Sequence, residues 1–269
     1  MRLHADADPE RVGRRHISRR AALVCCAALF LARPAAAEEV RVMTSGGTAA
    51  AFVALAPEFE RATGHKVVTL ATSTGLGADA IASRVRRGEP VDVIILSRAQ
   101  IDELAGEGKV VAGTGVDLAR SSIGMAVRWG APKPDISTVE ALKRALLQAR
   151  SVAYSAQVSG IYLTTELFPR LGIADQMTKK GIRVDVGRVG AVVARGDAEI
   201  GFQQISELLE VQGVDLVGPL PAEVQRVTIF TAGVATSAKS PGAARALIEF
   251  LRSARGIEVM RKSGLDPIK

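Results

Sequence analysis

Apolar residues along the chain fall into short blocks of two kinds, separated by small polar residues. Residues 40–43 form a compact apolar block that reads as a short buried strand, broken by Thr44-Ser45-Gly46-Gly47. Residues 48–63 carry Phe52, Leu55, Ala56, Phe59 and Ala62 on one face of a 3.6-residue period, which predicts a helix, and Gly64 ends it. A second strand is predicted over 66–71, a second polar break at Thr72-Ser73-Thr74-Gly75, and a helix over 79–87. Gly88-Glu89-Pro90 turns the chain into a dense β-branched strand over 91–96, followed by Ser97-Arg98 and a short helix to Leu104. This alternation of strand, polar loop and helix implies a parallel sheet with helices on both faces.

The pattern then repeats. A strand is predicted over 122–128, a stiff connection at Pro132 and Pro134, a helix over 138–149 and a strand over 152–154. A polar loop covers 155–160, a helix 161–171, a strand 182–186, a helix 190–195 and a strand 199–202. A strand over 227–234 reads as a return path, and helices over 241–251 and 257–262 close the chain. Trp129, the single tryptophan, reads as a packing residue, and Asp92 as a strand-edge residue.

The N-terminus breaks this pattern. Residues 1–17 are polar with Arg11, Arg14 and Arg15, Ser18-Arg19-Arg20 follows, and residues 21–32 are apolar. That run is shorter than the roughly 20 residues needed to span a bilayer. Ala35-Ala36-Ala37 precedes Glu38, so residues 1–37 read as a cleaved secretory signal peptide. The paired arginines point to the twin-arginine route into the periplasm.

Removing this segment changes the meaning of the composition. It holds seven Lys/Arg and three Asp/Glu, so the net charge of +7 falls to about +3, with 28 basic and 25 acidic residues left. A nucleic-acid binder would carry a stronger basic excess, and no nucleic-acid partner is expected. Both cysteines, Cys25 and Cys26, lie in the segment, as do two of the three histidines. A disulfide, a thiol nucleophile, a His/Cys metal site and a Ser-His-Asp triad are therefore excluded from the mature chain. No Gly-Lys-Ser/Thr phosphate loop is present. No metal or cofactor is expected.

The functional signal lies in where the small polar clusters fall. In open α/β sheets ligands sit beyond the carboxyl ends of strands. Four clusters hold such places, each before a predicted helix: residues 44–47, residues 72–75, Ser155 with Ser159-Gly160, and Gly187-Arg188-Val189. A helix start offers unpaired N–H groups and partial positive charge, hydroxyls add donors, and glycine allows close backbone approach. Together the clusters point to one shared site for a small anion.

These residues carry a family resemblance. The strings SGG, TGHKV, ATSTGL, RRGEPVDVIILS and SGIYLTTELFPRLGI resemble periplasmic solute-binding proteins of the molybdate-binding type, across essentially all of residues 38–269. The resemblance implies an α/β fold of the type II periplasmic-binding class, with two α/β lobes and a ligand cleft between them. Lobe one would comprise 38–120 and 234–269, lobe two 121–233, with crossings near 121–127 and 225–233. It also implies a small anionic ligand, an inner-membrane ABC transporter as partner, and a monomer. Carried over by position, the oxyanion ligands would be Ser45 or Gly46 in the first loop, Ser73 or Thr74 in the second, and backbone amides near Ser159 and Val189; the polar clusters widen the candidate ligand-binding set to Thr44, Gly47, Gly75, Ser155, Gly160 and Tyr162. Where that family places a tyrosine after the glycine of the late strand, this chain reads Gly201-Phe202-Gln203-Gln204. Glutamine both donates and accepts, which suits an organic carboxylate. Arg98 and Arg188 are candidates for bidentate carboxylate contacts.

The strings VMTSGGTAAAF, GAPKPDIS, SVAYS and GDAEIGFQQISELL resemble a subgroup related to bacterial aconitate isomerase. Two readings follow from the resemblance. The favoured one is a periplasmic receptor for a small oxyanion or polycarboxylate; the alternative is an isomerase that moves an allylic proton of an aconitate-like tricarboxylate. An isomerase needs a base, and Tyr154, Tyr162, Glu207 and Ser45 are the candidates.

Overall fold

The computed structural model describes residues 37–70 and 77–269. The expected signal peptide, apart from Ala37, and the loop holding Ser73, Thr74 and Gly75 lie outside the described residues. Residues Ala37–Lys269 form one compact unit.

The first half runs β1 (Glu39–Thr44), α1 (Gly46–Thr63), β2 (Lys66–Leu70), α2 (Ile81–Arg86), β3 (Val93–Ser97), α3 (Arg98–Gly106) and β4 (Val116–Ser121). The chain then passes through Ser122 into β5 (Ile123–Arg128), α4 (Val139–Gln148), β6 (Val152–Ser155) and α5 (Val158–Tyr162). A π-helical turn (Leu163–Leu167) leads to α6 (Phe168–Arg170), α7 (Ala174–Lys180), β7 (Gly181–Val184), α8 (Val189–Arg195), β8 (Ile200–Gln204), α9 (Ile205–Leu208) and β9 (Val214–Pro219). After a short turn the chain returns as β10 (Thr228–Val234), α10 (Pro241–Leu251), α11 (Ala254–Lys262) and β11 (Asp266–Pro267).

These strands make two sheets, one for each α/β lobe. The six-stranded sheet has the order β11-β4-β10-β3-β1-β2, the five-stranded sheet β7-β6-β8-β5-β9. In each, three strands are parallel: β1 lies between β2 and β3, and β6 between β7 and β8. The fully parallel expectation needs correcting, because β10 runs against β3 and β5 against β8. Strands β10 and β5 each stand at a crossing between the sheets. There the Gln225 side chain holds both backbone groups of Ile123, accepting from its N–H and donating to its carbonyl at 2.9 Å each.

The β3 run is apolar at every position because both faces of the sheet are covered. Val93 and Ile95 join Phe52, Leu55, Phe59 and Leu247 on one side, while Ile94 and Leu96 join Ile81, Val85 and Ile101 on the other. The second sheet is covered in the same way, with Met125, Val127 and Phe202 facing Leu142, Leu163 and Phe168, and Ala153 facing Val189 and Val193.

Two side chains differ from expectation. Trp129 sits in a turn after β5 and is 77% exposed, so it packs into no core. Asp92 is not at an edge but buried, where its Oδ2 accepts from Arg41 N–H at 2.8 Å and its Oδ1 from Lys239 and Ser240 N–H at 2.6 and 3.0 Å. It locks the start of β3 to the start of α10.

Candidate functional site

A cleft of about 800 Å³ opens between the lobes, where β1, β2 and the segments before α5 and α8 end. Its first wall is built by the turn from β1 into α1. Ser45 caps α1, its Oγ accepting from Gly47 N–H at 3.3 Å, and the Thr44 and Thr48 hydroxyls meet at 2.9 Å. Thr44 and Gly46 line the cleft. Ser45 is buried behind them, and Gly47 packs against the Phe230 ring. Ser206 donates to the Gly47 carbonyl at 2.7 Å, which ties α1 of the first lobe to α9 of the second at the base of the cleft.

The second wall holds Gln157, Gly187 and Arg188, the N-cap residue of α8. Arg188 pairs with Glu210, and Arg84 of α2, on the first lobe's side of the same cleft, pairs with Glu89. Each lobe thus contributes one guanidinium to the cleft.

Behind Arg188 lies a polar chain that sequence reading left unresolved. Gln203 is buried; its Oε1 accepts from Val189 N–H at 2.9 Å, and its Nε2 donates to Glu207 Oε1 at 2.9 Å. The Val189 amide therefore meets Gln203 within the protein itself. Glu207 is 6% exposed, yet it forms part of the cleft wall. Its Oε1 lies so close to Gly46 that a Cβ there would stand 2.5 Å away. Burial pushes the Glu207 carboxyl up to about 7, with Glu210 adding to the rise and Arg188 and the Gln203 hydrogen bond opposing it.

The other predicted residues are placed nearby or apart. The Ser155 and Ser159 hydroxyls meet at 3.2 Å, and Ser155 Oγ accepts from Gln157 N–H at 3.2 Å. The helix starts at Val158, earlier than expected, so Ser159 and Gly160 lie in its first turn, and Gly160 sits against the Ser155 carbonyl where a side chain has no room. Gln204 is buried away from the wall; its Nε2 donates to Thr228 at 3.0 Å, while its Oε1 and Ser121 Oγ have no hydrogen-bond partner. Arg98 and Tyr162 line a second cavity of about 610 Å³ beside the crossing strand β10. There Arg98 pairs with Asp117, and the Tyr162 hydroxyl donates to the Val224 carbonyl at 2.8 Å, with the Arg226 guanidinium 5.0 Å from its ring centre. Among the described residues no cluster of three or more His, Cys, Asp or Glu is placed to hold a metal ion.

Residues 40–266 match the family of bacterial extracellular solute-binding proteins. The chain belongs to this family. Within it, the protein is 41% identical over 249 residues to an aconitate isomerase from Pseudomonas sp, covering 92% of this chain and 94% of that one. It is 26% identical over 251 residues to the molybdate-binding protein ModA of Azotobacter vinelandii, covering 90% and 95%. The solved structure of the Azotobacter vinelandii periplasmic molybdate-binding protein superimposes with a TM-score of 0.68 at 18% identity, over 86% of this chain and 100% of that one. This solute-binding protein accordingly has the type II periplasmic-binding fold, two α/β lobes with a ligand cleft between them.

Proposed function

We propose that this protein is a periplasmic isomerase of an aconitate-like tricarboxylate, acting in the cleft of a solute-binding scaffold. The observation that carries the reading is the pair Arg84 and Arg188, one guanidinium from each lobe on one cleft of about 800 Å³, with the start of α1 beside them. A compact tetrahedral oxyanion has only four oxygens around one centre. Two cations on opposite walls and a helix start suit an extended anion with several carboxylates, each guanidinium exchanging its present partner, Glu89 or Glu210, for a carboxylate of the ligand. The Val189 amide, expected to face an oxyanion, is engaged by Gln203, which also favours an organic ligand. The 41% identity with an aconitate isomerase over nearly the whole of both chains supports turnover as well as binding.

The test is proton NMR of cis-aconitate with the purified mature chain. Appearance of the trans isomer at a catalytic rate is the expected result, and an unchanged spectrum overturns the reading. The second reading is a receptor that holds a small oxyanion or polycarboxylate and delivers it to an inner-membrane ABC transporter. Family membership favours it. Stabilisation by aconitate or molybdate without conversion is its signature, since a ligand that binds only the folded state raises stability by RT ln(1 + [L]/Kd).

Either reading places the protein in the periplasm, exported as a monomer by the twin-arginine route after loss of residues 1–37. Lobe one comprises about 38–121 and 228–269, and lobe two about 122–227, because β10 pairs within the six-stranded sheet. The ligand set combines Thr44, Gly46, Arg84 and Arg188 on the cleft walls with the 73–75 loop. N-terminal sequencing of the exported protein checks the cleavage point.

A further inference from the structure

Four side chains were candidates for the base of an allylic proton shift, and the structure separates them. Tyr162 gives its hydroxyl proton to the Val224 carbonyl, and burial raises its affinity for that proton. Tyr154 packs edge-on against Phe168 and touches Gly181, among residues that do not line the cleft. Ser45 uses its Oγ to cap α1 and has no histidine beside it. Two other carboxylates reach the cleft, Asp79 and Asp185. Both are exposed at its rim, and Asp185 is paired with Arg183. Among the described residues Glu207 alone is a carboxyl group that is both buried and on the cleft wall.

We propose, resting on the isomerase reading, that Glu207 is the catalytic residue that carries the proton, and that Gln203 is the positioning residue that aims it. The geometry on both sides of Glu207 is fixed. Gln203 holds Oε1 at 2.9 Å and is itself held by the Val189 amide, so its amide cannot turn over without breaking both bonds. On the opposite lobe Gly46 leaves room for the same oxygen, where a Cβ would stand 2.5 Å from it. Oε2 has no hydrogen-bond partner among the described residues.

The step balances with one residue. The Glu207 carboxylate takes a proton from the methylene carbon of the bound tricarboxylate. The C–H pair becomes the new carbon–carbon double bond, and the pair of the old double bond moves to the former vinyl carbon. The negative charge that develops is shared with a substrate carboxylate facing the arginines and the start of α1. The same carboxyl then returns a proton to the former vinyl carbon. No atom is gained or lost, and the double bond has moved by one position. A carboxyl whose proton affinity sits near neutral pH is matched to both halves of this exchange. The charged groups that bear on it are Arg188 and Glu210; residues 45–49 on the α1 side carry no charge.

The experiment follows cis-aconitate by NMR in heavy water, with wild type, Glu207→Gln, Glu207→Asp and Gln203→Met, alongside aconitate binding by calorimetry. The expected result is wild-type conversion with deuterium entering the product. Glu207→Gln should lose at least 10³-fold in both conversion and deuterium entry while still binding, and Glu207→Asp, whose carboxyl is set back by one methylene, about 10²-fold. For wild type, kcat should rise with pH through a midpoint near neutrality, and Gln203→Met should move that midpoint upward, a change that a merely structural role would not make. Wild-type conversion with an equally active Glu207→Gln overturns this assignment and leaves the isomerase reading standing. Absence of conversion by wild type overturns both. Should Glu207→Gln fail to fold, the Glu207→Asp rate and the wild-type pH profile decide, and a wild-type rate in Glu207→Asp or a flat profile overturns the assignment.

Discussion

The buried Glu207 makes a prediction about stability that needs no substrate. In an unfolded chain this carboxyl has its ordinary value of 4.5, and in the fold burial raises it to about 7. Between those two values the folded state binds more protons than the unfolded state, so stability falls as pH rises through that window. Below pH 4.5 the group is protonated in both states and contributes no pH dependence; above 7 the full cost of an ionised buried carboxyl is present. The shift corresponds to about 3 kcal/mol at roughly 1.4 kcal/mol per pH unit. Glu207→Gln keeps the shape and the acceptor for Gln203 but cannot ionise. The variant should therefore match wild type near pH 4.5 and be about 3 kcal/mol more stable at pH 8.5. For a domain of this size that gap is on the order of 6–12 °C in Tm. Thermal and urea unfolding of both proteins, without ligand, at pH 4.5, 6 and 8.5 measure it. A difference between the two that stays constant across the three pH values would refute the reasoning, because it would mean that Glu207 is solvated or its charge is fully matched.

Other outcomes follow from particular contacts. Gly46→Ala puts a Cβ 2.5 Å from Glu207 Oε1, where ordinary contact begins at 3.4 Å; the carboxyl must retreat by about 0.9 Å, and a displacement of that size is expected to cost roughly 10²-fold in turnover with Tm nearly unchanged. The adjacent Gly47→Ala meets the buried Phe230 ring instead, so it should lose about 1–3 kcal/mol in urea unfolding. Arg188→Lys keeps the charge but loses the planar fork; aconitate affinity measured by calorimetry should fall more than affinity for a monocarboxylate, and an equal fall for both would remove Arg188 from the ligand set. Asp92→Ala strands three backbone N–H groups, that of Arg41 in β1 and those of Lys239 and Ser240 just before α10, and is expected to cost about 3 kcal/mol or more in urea unfolding.

Strands with a mainly apolar run were legible in the sequence, the edge strands β2 and β7 included, while some interrupted by charge or only half-buried were not. β1, β3 and β6 are short apolar runs whose neighbours cover both sides, so composition alone marks them. β4 and β9 escaped because they are charged or half-buried: β4 reads VDLARS with Asp117 and Arg120 in it, and β9 is at most half-buried along its length at the edge of its sheet. α5 was placed too late because Ser159-Gly160 reads as a loop, whereas Gly160 is required by the close approach of the Ser155 carbonyl. At the site, a polar break before α1 and Arg188 before α8 followed from local pattern, whereas the part Ser45 plays as the cap of α1 did not. The role of Gln203 did not, because its two partners, the Val189 amide and Glu207, are brought to it by α8 and α9 packing around β8. Nor could sequence rank Glu207 above Tyr154, Tyr162 and Ser45, since its burial and its neighbour Gly46, a residue of the opposite lobe, arise only in the folded chain.

An anion-binding cleft already supplies much of what an allylic proton shift requires. The groups that hold a polycarboxylate at rest also stabilise the extra charge that appears when a neighbouring carbon loses its proton. What a receptor lacks is a base, and a base in such a cleft creates a conflict: an ionised carboxylate repels the anion that the arginines attract. Burial of Glu207 eases this conflict by keeping the carboxyl largely protonated until near-neutral pH. The conflict has a measurable residue. Above pH 7 the ionised Glu207 opposes ligand binding, and Glu207→Gln removes that opposition. The variant should bind aconitate at least several-fold more tightly than wild type at pH 8.5, and the advantage should disappear at pH 5, where both side chains are neutral. Calorimetric titration at the two pH values gives the answer. Weaker binding by the variant at pH 8.5 would place the substrate carboxylates away from Glu207, and with them the proton that it is proposed to move.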